Sequence, residues 1–162
     1  MAWNSIDLPG ASIETVDSSQ VFPLGTKCTA RNTAASTGWV GEFVYMAGVA
    51  SCAASDWVLL NYDNYTVSLL GDTNVGPVGL SLGATIASTF GWFQVRGKGT
   101  GKLAASCADN AQLYTTATAG VVDDALSGQF QIYGARAASG VTSAAAGEVE
   151  INYQVVAGPD AA

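Results

Sequence analysis

The most regular stretch of the chain is Phe90-Gly91-Trp92-Phe93-Gln94-Val95-Arg96-Gly97-Lys98, where apolar and polar side chains alternate. A period of two belongs to a strand, and it sets Phe93 and Val95 on one face and Gln94, Arg96 and Lys98 on the other. The same Gly-x-apolar-x-apolar pattern recurs at Gly41–Tyr45, Gly128–Ile132 and Gly147–Ile151. Four strands of one design predict a sheet or barrel whose inner face carries Phe43, Phe93, Phe130 and Val149. The repeats fall at unequal intervals, which excludes a solenoid or propeller period.

Turn signals divide the remainder into short strands. The pattern predicts strands over Gly25–Ala30, Trp39–Ala50, Trp57–Asn61, Thr66–Leu70, Val75–Leu82, Leu103–Ser106, Leu113–Thr116, Phe130–Arg136 and Glu148–Val156. Tyr62-Asp63-Asn64-Tyr65, Gly71-Asp72-Thr73-Asn74 and Asp109-Asn110 are turns, because Asp, Asn and Gly tolerate turn backbone. Pro77 marks an edge strand or a strand start. Val121–Asp124 and Ser127-Gly128 bracket a loop, and Asn32–Thr37 and Ala137–Ala146 are small-residue loops. Thr85–Ser88 is the one short helical turn expected, and Gly97–Lys102 reads as a glycine-rich hinge. Turns every 8–12 residues or so are the mark of a sandwich or barrel. The fold expected is therefore all-β, an antiparallel β-sandwich or barrel over residues 25–157, with a jelly roll one form it could take.

Residues 1–24 break the pattern, with Pro9-Gly10 and Pro23 as punctuation and scattered apolar positions at Trp3, Ile6, Leu8, Ile13, Val16 and Phe22. They are expected to form an extended N-terminal arm that orders on a partner or neighbouring subunit, since a disordered tail does not usually carry such anchors. Cutting the arm away should then leave the β-domain folded. Residues 158–162 should be a loose tail.

Composition narrows the chemistry. The chain has 162 residues, a net charge of −7, only 12% charged residues and no histidine. One domain of this size can bury a sizeable core without a metal or disulfide. The acidic balance argues against nucleic acid, whose phosphates need clustered Lys and Arg. Arg96, Lys98, Lys102 and Arg136 could form a modest basic patch, either complementing an acidic neighbouring protein or simply solvated. Cys28, Cys52 and Cys107 have no zinc or disulfide spacing and read as buried thiols of a cytoplasmically folded chain. No secretion signal is expected, because the first residues carry neither a basic nor an apolar run, and no run approaches the ~18 apolar residues of a membrane span.

Without histidine, Ser-His-Asp and Cys-His sites are excluded. Gly97-x-Gly99-x-Gly101-Lys102 lacks the Walker spacing and the hydroxyl after Lys. Asp123-Asp124 reads as turn acids, with a calcium cluster the weaker reading, and Glu148 and Glu150 as outward strand residues. No cofactor, metal or catalytic residue is expected. Trp39, Trp57, Trp92 and the tyrosines are core or interface aromatics, the rival being a platform for stacking sugars.

The run Gly41–Ser51, followed by Asp56-Trp57-Val58, Asn74–Gly79, Ala87–Lys98, Ala108-Asp109-Asn110 and Ala117–Asp124, is similar to the head decoration, or cement, proteins of tailed bacteriophages. The likeness covers roughly residues 24–136. It implies a structural protein on the exterior of an icosahedral capsid, made in the host bacterial cytoplasm. Such a protein would be a trimer or other symmetric cluster seated where major capsid proteins meet, stabilising the shell against DNA pressure. It brings no catalytic residues. The candidate contacts with the capsid or a sister subunit are then Trp3, Ile6, Leu8, Ile13, Val16 and Phe22 of the arm, and Arg96, Lys98, Lys102 and Arg136. The alternative function is a surface-displayed carbohydrate-binding module that uses exposed aromatics.

Overall fold

A computed structural model describes residues 3–34, 38–126 and 129–158. The Ser127-Gly128 turn signal, the Ala35–Thr37 end of the polar loop, and the tail beyond Gly158 lie outside these residues. Eleven strands follow one another: β1 (Trp3–Ser5), β2 (Lys27–Asn32), β3 (Val40–Ala47), β4 (Trp57–Asn61), β5 (Thr66–Leu69), β6 (Gly76–Ser81), β7 (Phe90–Leu103), β8 (Gln112–Thr115), β9 (Val122–Asp123), β10 (Gln131–Ala137) and β11 (Ala145–Val156). No helix occurs among the described residues, so the fold is all-β. The Thr85–Ser88 segment, expected to be a helical turn, instead pairs Thr85 with Cys52 in a bridge and then turns.

The strands form one mixed sheet that closes on itself twice. One circuit of pairing runs β3–β5–β4–β6–β7 and back to β3. The other runs β7–β11–β10–β8–β9 and back to β7. Each circuit is completed by one parallel contact, Ala47 with Thr66 and Leu103 with Val122; every other strand pairing is antiparallel. Strand β7 belongs to both circuits. Its first half pairs with β3 and β6, and its second half with β11.

The expected hinge at Gly97–Lys102 is thus the continuation of β7. Its glycines serve close approach. Gly97 has a φ of +100°, and a Cβ there would collide with the Val40 carbonyl. At Gly101 a Cβ would lie 2.8–3.0 Å from the ring of Trp57, which is fully buried and donates its indole N–H to the Lys102 carbonyl.

Three apolar clusters fill the molecule. Val44, Met46, Val58, Leu60, Val67, Phe93 and Val95 pack together from the strands of the first circuit. Leu103, Leu113, Val122, Ile132, Val149 and Ile151 pack in the second, joined by Trp57, Val78 and Leu80. Phe43, Tyr45 and Trp92 point the other way from β3 and β7, into a third cluster with Trp3 and Ile13. Phe43, Phe93, Phe130 and Val149 therefore do not share one inner face: they are distributed over all three clusters. Gln94, placed outward by the alternation, is fully buried. The first half of β7 is covered on both faces, so alternation no longer separates inside from outside.

What covers the second face is the N-terminal segment. Strand β1 pairs with β2, Asp17 bridges to Phe90, and Asp7 accepts the Thr29 backbone N–H at 2.8 Å. Trp3 meets Phe43 edge-on, with ring centroids 5.0 Å apart, and Phe22 packs on Tyr45 and Trp92. Rather than waiting for a partner, the segment lies on its own domain, and its removal would bare Phe43, Tyr45 and Trp92. The Tyr45 hydroxyl donates to Asp17 Oδ2 at 2.7 Å and accepts the Val21 N–H at 3.3 Å. Burial and then the Asp17 carboxylate push its phenol up to about 12.

Gly101→Ala should destabilise by about 1–3 kcal/mol through overpacking against Trp57, lowering the melting temperature by roughly 3–10 °C. Gly91→Ala, whose Cβ would find only an ordinary 3.5 Å contact with Thr85, should be close to neutral in the same thermal melt. Tyr45→Phe should cost about 1–3 kcal/mol, because it leaves Asp17 and the Val21 N–H without their partner. A phenol raised in the folded state contributes stability that is present below its unfolded value near 10 and is lost as pH rises through about 12. Wild-type stability should therefore fall more steeply over that alkaline window than that of the Phe variant, as read by denaturant titration at each pH.

Candidate functional site

The outward face of β2, β3, β7, β11 and β10 gathers most of the chain's basic residues. Residues facing one another across strands on one side of a sheet interact directly, and here they alternate in charge. Glu42, Arg96 and Asn152 form one row, since Glu42 and Arg96 are register partners and Arg96 faces Asn152. Lys98, Glu150 and Arg136 form the next. Arg96 Nη1 lies 2.8 Å from Glu42 Oε1, Lys98 Nζ 2.6 Å from Glu148 Oε2, and Arg136 contacts Glu150 Oε2 through Nε at 2.8 Å and Nη2 at 2.5 Å. Lys98 also sits 4.9 Å above the half-buried Trp39 ring, and Lys27 sits 5.9 Å above Tyr153. A groove of about 600 Å³ runs among Arg96, Lys98, Arg136, Glu150 and Asn152.

The cations of the expected basic patch are thus each matched by an acid. Five cations (Lys27, Arg31, Arg96, Lys98, Arg136) less three anions (Glu42, Glu148, Glu150) leave this face at +2. With six cations and thirteen acids in the whole chain, one cation and ten acids remain elsewhere, a net −9. The face is a weakly positive window on an acidic molecule. Lys102 does not belong to it: its Nζ pairs at 2.5 Å with Asp56, a buried carboxylate whose other oxygen accepts the Ala53 N–H at 2.6 Å. That pair holds the entry to β4 against β7.

Beside the charged rows, β11 is interrupted. Between the pairs Tyr133–Val155 and Ala135–Ile151, three residues of β11 oppose Gly134 alone. Gly134 and Tyr153 both take left-handed backbone, at φ +80° and +48°. This bulge reverses the phase of the strand. Tyr153 turns outward and donates its hydroxyl to Glu42, while Gln154 turns inward and donates to the Val78 carbonyl at 2.6 Å. The bond from Tyr153, and then that from Arg96, hold the Glu42 carboxyl below its usual range; Glu42 in turn raises the Tyr153 phenol.

Around Tyr153 lies an exposed aromatic and aliphatic patch. Tyr62, Pro77, Tyr153 and Val155, with Lys27, line a second groove of about 400 Å³. Tyr65 stands edge-on to Tyr62, Tyr133 faces Val155 across the ladder, and Val75 precedes β6. Tyr62, Tyr65, Val75, Tyr133, Tyr153 and Val155 are six of the eleven exposed large apolar side chains among the described residues. Contiguous exposed apolar surface of this kind marks interaction sites in soluble proteins.

The arm positions divide sharply. Trp3 and Ile13 are buried, and Leu8 and Phe22 pack against the same third cluster, so these four are used within the chain. Val16 is half-buried, and Ile6 is 60% exposed. Trp57 and Trp92 are buried and cannot stack a sugar. Sequence reasoning missed Lys27, Glu42 and the tyrosine patch. Tyr62 and Tyr65 stood in a turn signal, and only the bulge brings Tyr153 outward.

Cys28, Cys52 and Cys107 are free and buried. Cys107 lies with Asp123 and Asp124, their ligand atoms all within 4.8 Å of one another. Burial, then the two carboxylates, push its thiol up to about 11, and the Asp124 carboxylate accepts the Ala108 N–H at 2.8 Å. The group closes a loop by hydrogen bonds.

Compared with known proteins, the chain matches no family model, and the search of curated proteins returned no match.

Proposed function

We propose that the chain is a structural virion protein, which binds the outer surface of an icosahedral phage capsid and cements adjacent major capsid proteins, as a trimer or other symmetric cluster. The observation that carries this reading is the weakly positive, tyrosine-edged face. A molecule of net charge −7 is repelled by acidic neighbours over most of its surface, and this face removes that repulsion where tyrosines and valines offer area to bury. The resemblance of residues 24–136 to decoration proteins supplies the partner. Repetition over a lattice supplies the strength, because linked contacts raise avidity by factors of about 10²–10⁴. Nucleic acid and membranes have no part in this reading.

A second reading, a carbohydrate-binding module, is favoured by one observation: the tyrosines around the 400 Å³ groove could stack on a sugar ring. Sedimentation of the purified protein with undecorated shells of its parent particle, alongside a glycan array, separates the two. The cement reading expects uptake onto shells, weakened at least tenfold by Tyr62→Ala/Tyr153→Ala with the fold intact by circular dichroism. Glycan binding without uptake onto shells would overturn it.

A further inference from the structure

The second circuit closes through a single parallel register pair, Leu103 with Val122, supported by the Ala104 N–H donating to the Val122 carbonyl at 2.8 Å. Three metal-binding side chains meet just beyond this joint. Cys107 stands in the loop that follows β7, Asp123 ends β9 and Asp124 comes next. One ligand atom from each, the thiol sulfur and two carboxylate oxygens, lies within 4.8 Å of the other two.

Neither half would mean much alone. Adjacent acids on a turn are usually solvated, and a buried cysteine usually acts as a small apolar side chain. Together they make a donor set. Cys107 is 1% exposed, yet its thiol has one hydrogen-bond partner only, the Ala108 carbonyl at 3.9 Å, a distance at which little bond energy is left. No ion pair among the described residues involves Asp123 or Asp124. The chain's six cations lie elsewhere, five on the outer face and Lys102 beside Asp56. Two neighbouring carboxylates and a buried thiol thus face one another with no positive partner from the protein.

The spacing suits one small ion. With Zn–S about 2.3 Å and Zn–O about 2.1 Å, the ligands of a tetrahedral zinc stand about 3.5 Å apart, which rotation of the carboxylates can reach. Each carboxylate is steadied by a backbone N–H, Asp123 Oδ1 by that of Asp124 and Asp124 Oδ2 by that of Ala108, both at 2.8 Å. Ligating carboxylates are commonly oriented in this way, and lone pairs remain on both. Sulfur disfavours calcium and magnesium, whereas sulfur with oxygen suits zinc. The two acids are half-buried, so an ion can enter from their side.

We propose that Cys107, Asp123 and Asp124 form a site for a thiophilic divalent cation such as Zn²⁺, which clamps the loop after β7 to β9 and so locks the closure of the second circuit. Binding exchanges the thiol proton for the metal, the sulfur keeping its electron pair, and a water completes the four ligands. These residues line neither groove of the outer face, and the site does not rest on the capsid reading.

The test uses the full chain freed of metal. It is melted with and without Zn²⁺, and titrated with Co²⁺, which reports a bound thiolate by a sulfur-to-metal charge-transfer band. Zn²⁺ should raise the melting temperature, and by more than Ca²⁺ does. The Co²⁺ band should be absent from Cys107→Ser, and Asp123→Asn/Asp124→Asn should weaken binding about tenfold or more. The asparagines keep an acceptor oxygen for each backbone N–H, and a metal-free melt of both variants checks that they fold. A wild-type chain without the band, or one whose melt Zn²⁺ leaves unmoved, would overturn the proposal. So would a band that survives Cys107→Ser, or Ca²⁺ stabilising as well as Zn²⁺.

Discussion

The structure depends on one strand being shared. β7 is hydrogen-bonded to β3, β6, β9 and β11, and both circuits of the sheet close through it. A strand so placed has no solvent face along its first half: Trp92 and Gln94 are buried on one side, Phe93 and Val95 on the other. It must also let neighbouring groups come close, and that is where its glycines fall. Gly97 admits the Val40 carbonyl and Gly101 admits the Trp57 ring. The burial of Trp57, the seating of the N-terminal segment and the contact between the circuits all depend on this strand being slender at those points.

The fold class was legible because period-two alternation and turn residues are local signals. Asn61 and Asn64 illustrate this: their side chains accept backbone N–H groups two residues on, at 2.9 and 3.3 Å, closing the turn that Tyr62–Tyr65 announced. Pro77 proved to be a strand start, the second residue of an interior β6. What failed were inferences about facing. Alternation assigns Gln94 to solvent because it assumes one wet face, and the N-terminal segment, distant in sequence, removes it. Tyr153 was hidden for a different reason: Glu148, Glu150 and Asn152 point outward in phase, and a bulge opposite Gly134 then shifts that phase. Trp3, Ile13, Leu8 and Phe22 of the arm need something to bury against, whereas Ile6 stays exposed. Their target was Phe43 and Trp92 of the same chain.

The ion pairs of the outer face add little to stability. Exposed pairs contribute about 0–1 kcal/mol, and Arg96, Lys98 and Arg136 are each about a third or more exposed. Their larger effect is on where the charge lies. By matching acids to most of the cations on one face, the sheet concentrates the net negative charge elsewhere and leaves a surface that other proteins can approach. Lys102 shows the contrast, since its partner Asp56 is buried and tied to the Ala53 N–H. Removing that lysine would strand a charge inside the protein, the costly case for a buried pair.

Closure also decides how such a molecule can adhere. Sheets commonly recruit partners by adding a strand to an open edge. Here every strand in the two circuits has a neighbour on both sides, and the outermost, β1, is three residues long and bridged on its far side where Asn4 meets Ser12. Backbone groups are therefore a poor handle. A partner would have to be met through side chains, and exposed apolar side chains gather beside the bulge, where Tyr153, Val155 and Tyr62 line a groove with Lys27 and Tyr133 faces Val155. The same defect in β11 that hides Tyr153 from a periodic reading is what turns it outward, so the least regular point of the sheet is also where its exposed aromatic surface gathers.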